Sequence, residues 1–256
     1  MSSNKPDPHL DIPTLTTSHA SDDDLPEALQ LVADSVAQQR QLAARCILLH
    51  PLSLSLYALA MAILAKLCPS LPTLATTASG VTMAVLVAVR WACNGYIEEA
   101  EGIGKRWLIS GRGGGEEGEG EEAGPRRQEG RAMEDVVLVT RWGGEIIGVV
   151  IVRLIPDGKT SKSSRQDSKS RALFRAWTVK LRYRYKDVGR GLLEEAVRIT
   201  RETLGEKITM EWDAQHANSR QNLPNLFNRP FQSRERLAKK MLQDVVSEQS
   251  SEFSSR

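Results

Sequence analysis

Two closely spaced glycines, Gly189 and Gly191, stand where a strand-like run meets an amphipathic helix. The preceding stretch, Ala172 to Tyr185, is rich in β-branched and aromatic residues, and apolar residues then recur at helical spacing: Leu193, Ala196, Val197, Thr200 and Leu204. The first N–H groups of such a helix lack backbone partners and attract an anion at the positive end of the helix dipole. The junction therefore either binds a phosphate group or uses glycine only to make the turn.

Basic side chains surround this junction and would add positive charge where a diphosphate lies: Arg182, Arg184, Lys186 and Arg190. The formal charge of the whole chain is only +2, so the positive charge is local. A nearly neutral chain gives no electrostatic case for general nucleic-acid binding, and we expect no nucleic-acid partner.

The run from Lys186 to Gly191 resembles the coenzyme A pyrophosphate loop of the GNAT acetyltransferases. The signature of that loop is Gln or Arg, two residues, Gly, one residue, then Gly or Ala; Lys186 departs from it but keeps a cation. The resemblance implies that acetyl-CoA, as a co-substrate, is bound by Lys186, Asp187, Val188, Gly189, Arg190 and Gly191. It also implies that the backbone of Val179 to Leu181 lies beside the pantetheine and acetyl group. The side chains of this stretch could equally belong to the ordinary hydrophobic core.

The order of the predicted elements is similar to that of the acetyltransferase core. Val136 to Thr140 and Ile146 to Leu154 are apolar runs separated by a glycine-containing turn, which predicts a β-hairpin, and Lys207 to Trp212 predicts a later strand. The expected fold class is α/β (α+β), a GNAT-like mixed β-sheet flanked by helices, with an inserted hydrophobic helical hairpin.

Both ends of the chain add elements to this core. Ile12 to Thr17 predicts a first strand, and Asp22 to Ala44 predicts a first helix that Asp24 caps, with Glu27 at capping-box spacing. Near the C-terminus, Arg234 to Val246 predicts an amphipathic helix because its apolar residues fall on one face.

The resemblance implies direct attack of an amine on the thioester, with a general base that accepts the proton of the amine. Glu211, Asp213 and His216 follow or end a strand that borders the cofactor, and His216 is the best candidate because histidine titrates near neutral pH. His216 could instead cap the next helix. The residues expected to be catalytic are therefore His216 and Glu211.

Two later residues correspond to family positions that contact the cofactor. Asn218 matches an asparagine that contacts the pantetheine arm in many members, although it could simply cap the following helix. Phe227 stands where many members have a tyrosine that protonates the departing thiolate. Phenylalanine cannot donate a proton. A thiolate can nevertheless leave without being protonated, because the reference pKa of a thiol is only about 8.5.

Two apolar runs, Ile47 to Leu67 and Thr73 to Val89, are joined by a short proline-containing link. Each is close to the length of about 20 residues that a bilayer requires, so the pair predicts a membrane hairpin; the alternative is a buried pair of helices in a soluble protein. Basic residues flank both ends, which favours the cytosolic side for both: Arg40, Arg45, Arg90, Lys105 and Arg106. We expect a membrane protein, on an endomembrane, whose catalytic domain faces the cytosol.

Composition divides the rest of the chain. The three cysteines have no CxxC spacing, so neither a disulfide framework nor a metal site is expected. Gly111 to Gly130 predicts a disordered linker and Pro156 to Arg171 a long mobile loop. We expect six parts. The first three are a tail with the first strand (residues 1–21), the first helix (22–46) and the membrane hairpin (47–93). The last three are a Gly/Glu-rich linker (94–132), the acetyltransferase core (133–233) and a C-terminal helix with its tail (234–256).

These patterns together predict a membrane-anchored, acetyl-CoA-dependent N-acetyltransferase. Two alternatives remain open at this point: a non-catalytic module that binds coenzyme A or an acyl-CoA, and a membrane scaffold with a degenerate acetyltransferase fold. Nothing in the sequence identifies the acceptor amine.

Overall fold

Residues 13–110, 134–156, 170–206 and 208–254 are described by a computed structural model. They contain a five-stranded sheet in which each strand pairs with the next along the chain. The first three pairings are antiparallel and the last is parallel. The strands, in order, are β1 Leu15–His19, β2 Glu134–Trp142, β3 Glu145–Ile155, β4 Arg171–Val179 and β5 Thr209–Trp212.

Helices flank this sheet, so the mixed α/β fold class expected from the sequence is confirmed. In chain order they are α1 Leu25–Ala37, α2 Gln39–Leu48, α3 Pro51–Leu67, α4 Leu71–Ala92, α5 Gly95–Gly102, α6 Lys105–Ser110, α7 Val188–Leu204 and α8 Arg229–Ser254. Two 3-10 turns lie at Leu181–Tyr183 and Asn225–Phe227.

The predicted β-hairpin is formed by β2 and β3. Its two-residue turn consists of Gly143 and Gly144, whose φ angles are 58° and 88°. Two successive positive φ values match the right-handed twist of the flanking strands, and glycine adopts them without steric cost.

A β-bulge in β4 reverses the alternation of its side chains. Ile151 pairs with Ala176 and Val152 pairs with Phe174, so Arg175 is the extra residue. Upstream of the bulge Phe174 packs in the core under α7 and α8, whereas Ala176 packs in the second core under α1. Because the pleat has a period of two, one inserted residue moves the following side chains to the opposite face.

A buried ion cluster fastens α6 to the sheet. Asp135 on β2 accepts hydrogen bonds from Arg153 at 2.7 and 2.8 Å and from Arg175 at 3.0 Å. Arg175 also donates to the carbonyl oxygens of Trp107 and Leu108 at 2.9 and 3.2 Å, and its guanidinium lies 4.1 Å from the centre of the Trp107 ring. Helix α6 follows the apolar hairpin and α5 in the chain, and it is therefore held to the sheet at the bulge in β4.

Helices α3 and α4 form a hairpin that exposes apolar residues in all directions. Helix α3 has no buried residue, and Val89 is the one buried residue of α4. The segment Leu71–Gly102 is long and apolar enough to cross a membrane. The segments Leu25–Leu48 and Pro51–Leu67 meet this criterion only when they are counted together, and they are bent by 56° relative to each other. A helix that is apolar all round needs either other protein or lipid to cover it.

Some boundaries differ from the sequence expectation. The predicted first helix is divided at Gln38 into α1 and α2, and Asp24 does not cap α1; its carboxylate accepts hydrogen bonds from Ser21 and pairs with Arg141. Residues 95–110, expected in the flexible linker, form α5 and α6. The segments 111–133 and 157–169, which hold the rest of the predicted linker and most of the predicted loop, lie outside the described residues.

Candidate functional site

Strands β4 and β5 part halfway along β4. They pair only as far as Phe174 and Trp212, and the Asp213 N–H still reaches the Phe174 carbonyl at 3.0 Å. Strand β4 then continues to Val179 without β5. The Arg175 carbonyl still accepts a hydrogen bond from the Ala217 N–H at 2.8 Å. From Ala176 to Val179, the edge of β4 that faces away from β3 has no strand neighbour among the described residues, which leaves a gap between two strands that elsewhere lie side by side.

Peptide groups of β4 face this gap. The Lys180 N–H bonds to the Ile147 carbonyl of β3 at 2.8 Å. Alternate residues of an antiparallel strand direct their peptide groups to the same neighbour, so Trp177 and Val179 direct theirs away from β3, toward the gap. The carbonyl of Val179 accepts a hydrogen bond from Arg184 Nε at 2.8 Å.

The loop from β4 to α7 has two residues in the left-handed region. Tyr185 has φ 61° and Asp187 has φ 56°. For residues other than glycine this conformation costs about 1 kcal/mol or more each. The surrounding structure holds this strain at the entrance to α7, where the chain must turn sharply from the strand into the helix.

Helix α7 begins without a side-chain cap. Asp187 is its N-cap residue but makes no capping hydrogen bond, and the first intrahelical bond runs from Gly191 N–H to the Asp187 carbonyl at 3.0 Å. The N–H groups of Val188, Gly189 and Arg190 have no acceptor among the described residues. Three amides that point the same way at a helix N-terminus are an arrangement that binds anions.

The two glycines of this turn serve different purposes. A Cβ on Gly189 would lie 2.9 Å from Trp177 Cζ2, and Trp177 Nε1 donates to the Gly189 carbonyl at 3.0 Å. A Cβ on Gly191 would meet nothing within 4 Å. Glycine inside a helix lowers stability by about 0.5–1 kcal/mol relative to alanine. At position 191 no neighbouring atom of the described structure requires a residue without a side chain.

The basic residues expected around the loop divide into two kinds. Arg190 pairs with Glu194 at 2.9 Å and with Glu248 of α8, and these partners raise its pKa. Burial lowers the pKa of Arg184, with a smaller contribution from neighbouring Arg234. Arg182 and Lys186 lie 5.8 Å from the Tyr183 ring and have no carboxylate partner among the described residues.

The junction of α1 and α2 connects the two loops that border the gap. Gln38 Oε1 accepts a hydrogen bond from Arg184 Nη2 at 3.1 Å, on the β4 side. Gln39 Nε2 donates to Asn218 Oδ1 at 2.8 Å, on the β5 side. The side chain of Asn218 therefore holds this junction, and sequence reasoning missed both glutamines because no motif relates them to residues so distant in the chain.

The two residues expected to be catalytic lie in different surroundings. His216 is half-buried; its ring lies 5.7 Å from that of Trp212, which in turn lies 6.1 Å from Trp177 beside the loop. His216 Nδ1 lies 2.9 Å from the Asp213 carbonyl oxygen. Glu211 is exposed and stands opposite Leu173, in the paired part of the strands before the gap.

Three other expected site residues are placed as follows. Phe227 packs against His50 with ring centres 4.9 Å apart and belongs to the cluster between α2, α4 and α5. Val179 packs with Ile147 and Val188, whereas Leu181 is largely exposed. Of these, Val179 and Leu181 border the loop, and Phe227 lies in the hairpin-side cluster.

The described residues contain no group of three or more histidine, cysteine, aspartate or glutamate side chains that could hold a metal ion. No protein-family model matches the sequence, and no curated protein is significantly similar to it. Among solved structures, the chain is similar to an aminoglycoside acetyltransferase from an uncultured soil metagenomic sample, with 10% sequence identity and a TM-score of 0.31. That similarity covers 78% of this chain and 79% of the other.

Proposed function

We propose that this protein is a membrane-anchored acetyltransferase that uses acetyl-CoA to acetylate an amine. The observation that carries the proposal is the start of α7, where three amides without acceptors, two left-handed residues and the open space at Gly191 adjoin the unpaired edge of β4. An anion at this helix start accepts hydrogen bonds from the three amides, and the space at Gly191 lets it approach the backbone closely.

Acetyl-CoA fits this arrangement in an extended form. Its diphosphate accepts hydrogen bonds from the N–H groups of Val188, Gly189 and Arg190, with Lys186 and Arg182 as the nearby charges. Its pantetheine arm contains two amides, which can pair with the peptide groups of β4 that face the gap, in the manner of an added strand.

The chemistry needs position and one proton acceptor. The nitrogen of the acceptor amine attacks the thioester carbon, the C–N bond forms, the C–S bond breaks, and coenzyme A leaves as a thiolate. His216 takes the proton that the amine loses. Phe227 packs in the cluster beside the hairpin and has no proton to donate, so coenzyme A leaves as the thiolate, which its low basicity permits, and the thiolate then equilibrates with solvent protons.

The α3–α4 hairpin provides the membrane anchor. At about 1.5 Å per residue, its helices of 17 and 22 residues extend about 25 and 33 Å, against a hydrocarbon core of about 30 Å. Hydroxyl groups of α4 are bonded to its own backbone, as at Thr77 and Thr82, and Tyr57 on α3 bonds to Thr82 at 2.8 Å. A hairpin returns the chain to its starting side, which we take to be the cytosol.

A second candidate function is a coenzyme A-binding module without turnover. It is favoured by the position of Glu211, which is exposed and stands opposite Leu173 in the paired part of the strands and so lies outside the gap. It is also favoured by Phe227, which stands at the expected acid position but has no proton to donate. An assay for free thiol released from acetyl-CoA in the presence of an amine panel separates the two functions. Release that depends on the amine supports the enzyme, and tight binding without release supports the module.

Replacing Gly191 with valine tests the binding site. The branched side chain occupies the space where the diphosphate approaches, so the affinity for acetyl-CoA should fall at least about tenfold, which corresponds to about 1.4 kcal/mol. Isothermal titration of the detergent-solubilised full chain measures this affinity. Gly102→Val is the matched control, since Gly102 is also a helical glycine with nothing within 4 Å. An unchanged affinity in Gly191→Val would refute the assignment of the loop.

A further inference from the structure

A cleft opens where the apolar hairpin joins the rest of the protein. It has a volume of 810 Å³, in the range of about 300–1,000 Å³ that is typical of ligand pockets. The end of α2 and the start of α3 form one wall, and the turn Asn225–Phe227 with the start of α8 forms the other. The cleft is separate from the gap between β4 and β5.

Two arginines line this cleft from opposite walls. Arg45 belongs to α2 and Arg229 to α8, and neither has a carboxylate within 4.0 Å among the described residues. His50, also in the cleft, already accepts a hydrogen bond from the Leu52 N–H at 3.2 Å. Among the described residues, the charged groups of the cleft are therefore two guanidinium groups without a carboxylate partner.

Lack of a carboxylate partner is common to the arginines at the hairpin base. Five arginines on the sheet and on α7 are paired with carboxylates, namely Arg141, Arg153, Arg175, Arg190 and Arg198, whereas Arg171 and Arg201 have no carboxylate within 4.0 Å among the described residues. Arginines in the helices that meet at the hairpin base have none among the described residues: Arg40, Arg45, Arg90, Arg229 and Arg234. Unpaired guanidinium groups of one sign favour an anionic partner, and guanidinium binds phosphate in a bidentate manner.

Apolar side chains continue directly from the cleft. Leu49 and Leu226 at its rim are 69% and 51% exposed, and Leu52, Leu56 and Leu59 extend the exposed apolar surface along α3. If the hairpin enters a bilayer, as in the proposed function on which this step rests, then the cleft lies at the level of the lipid headgroups. Its arginines then face phosphates, and its leucines face acyl chains.

We infer that the cleft binds an anionic glycerophospholipid of the membrane in which the protein is anchored. Arg45 and Arg229 hold the headgroup phosphate from two sides, and the acyl chains lie along the leucines of α3. A lipid that carries net negative charge is preferred over a zwitterionic one, because no carboxylate in the cleft would pair with a choline or ethanolamine cation.

Native mass spectrometry of the detergent-solubilised full chain tests this inference. The protein is incubated with phosphatidylglycerol or with phosphatidylcholine at equal concentration, and the bound lipid is counted. The wild-type chain should retain phosphatidylglycerol at least about tenfold better, since charge-assisted hydrogen bonds between guanidinium and phosphate are stronger than neutral ones. The Arg45→Gln/Arg229→Gln variant should lose most of this preference. Arg171→Gln/Arg198→Gln, which removes the same charge from β4 and α7, should keep it.

Other outcomes overturn the inference. Equal retention of both lipids, or an unchanged preference in the Arg45→Gln/Arg229→Gln variant, excludes a lipid site in the cleft. Displacement of phosphatidylglycerol by inorganic phosphate in comparable amounts would assign the cleft to a soluble anion. Extraction of membranes with sodium carbonate, together with acetyl-CoA titration, is measured for each variant. If a protein stays in the membrane during carbonate extraction and binds acetyl-CoA normally but shows no lipid preference, the lipid site is rejected and the proposed function is not.

Discussion

At the scale of the residue, the two glycines at the start of α7 show why identical residues need separate explanations. Gly189 is required by Trp177, whose ring would collide with a Cβ, so the protein itself accounts for it. Gly191 has open space around it and stands within the first turn of a helix. A ligand that approaches the backbone closely is the reason we propose for Gly191.

His216 carries the proposed proton transfer. Substituting alanine for His216 should lower kcat about 10²–10⁴-fold and leave the KM for acetyl-CoA nearly unchanged, because a general base acts in the transition state and does not contribute to cofactor binding. Steady-state kinetics with the best acceptor amine measure both quantities.

Glu211→Gln is the comparison for that experiment. Glu211 lies on the same strand region but is exposed and opposite Leu173, so its substitution should change kcat little. A large loss in Glu211→Gln with full activity in His216→Ala would transfer the role of base to Glu211.

Asp24 gives a pH-dependent contribution to stability. Hydrogen bonds from Arg141 and Ser21 hold the pKa of Asp24 well below its usual value. The contribution is present at pH values above the unfolded pKa of about 3.9 and is lost as pH falls below it. Asp24→Asn should therefore lower the Tm at pH 7, and the difference from wild type should narrow near pH 3. Thermal unfolding followed by circular dichroism checks this.

Asp23 provides the control for that titration. Asp23 adjoins Asp24 but makes no hydrogen bond or ion pair in the described structure. Asp23→Asn should leave the Tm unchanged at both pH values. A Tm difference for Asp24→Asn that is equal at pH 3 and pH 7 would contradict the assigned cause.

At the scale of the element, the bulge in β4 determines what the strand can do. Arg175, the extra residue, joins the buried ion cluster with Asp135 and Arg153 and holds α6 through the carbonyls of Trp107 and Leu108. Beyond the bulge β4 no longer pairs with β5. The same irregularity thus fixes the anchor of α6 and begins the gap.

Asp135→Asn should destabilise the fold strongly. Asp135 compensates two guanidinium groups whose side chains are 5% and 6% exposed, and breaking a buried pair costs about 3–5 kcal/mol. For a chain of this size the Tm should fall by at least about 6 °C. Glu145→Gln, which breaks the exposed pair with Lys180, should shift the Tm much less, because exposed pairs contribute about 0–1 kcal/mol. Equal shifts in the two variants would contradict the structural role of the cluster.

At the scale of the whole molecule, the hairpin and the sheet have opposite surface chemistry. The sheet has its apolar residues in two cores beneath helices, whereas α3 and α4 expose leucines that no described element covers. Water disfavours so large an apolar surface, and a bilayer removes it from water.

The topology of the hairpin can be tested at Cys68, which follows α3 at the turn into α4. In sealed vesicles in which the β-sheet faces outward, a membrane-impermeant maleimide should not modify Cys68 until detergent opens the vesicles. Labelling is compared between wild type and Cys68→Ser, so the difference reports Cys68 alone. Modification of Cys68 in sealed vesicles would exclude a hairpin that crosses the bilayer.

The sequence alone determined most of the helices and strands and the place of the glycine turn before α7. The periodicity of α7, the glycine turn between β2 and β3, and the apolar runs of the hairpin depend on nearest neighbours along the chain, which a sequence records directly. The α1–α2 break and the helices in 95–110 were missed because α2 and α5 pack against other helices and α6 is held by Arg175 of β4, and such contacts with distant parts of the chain are not visible in local residue preference.

Only the tertiary structure decided which side chains meet at the gap. Arg190 was expected to serve a phosphate, yet it pairs with Glu248, which is 58 residues away, and Asn218, expected beside the pantetheine, bonds to Gln39. The sequence could not reveal that Trp177 explains one glycine and leaves the other unexplained. Such contacts form when separate faces pack together, and residue spacing holds no information about the partner that another part of the chain presents.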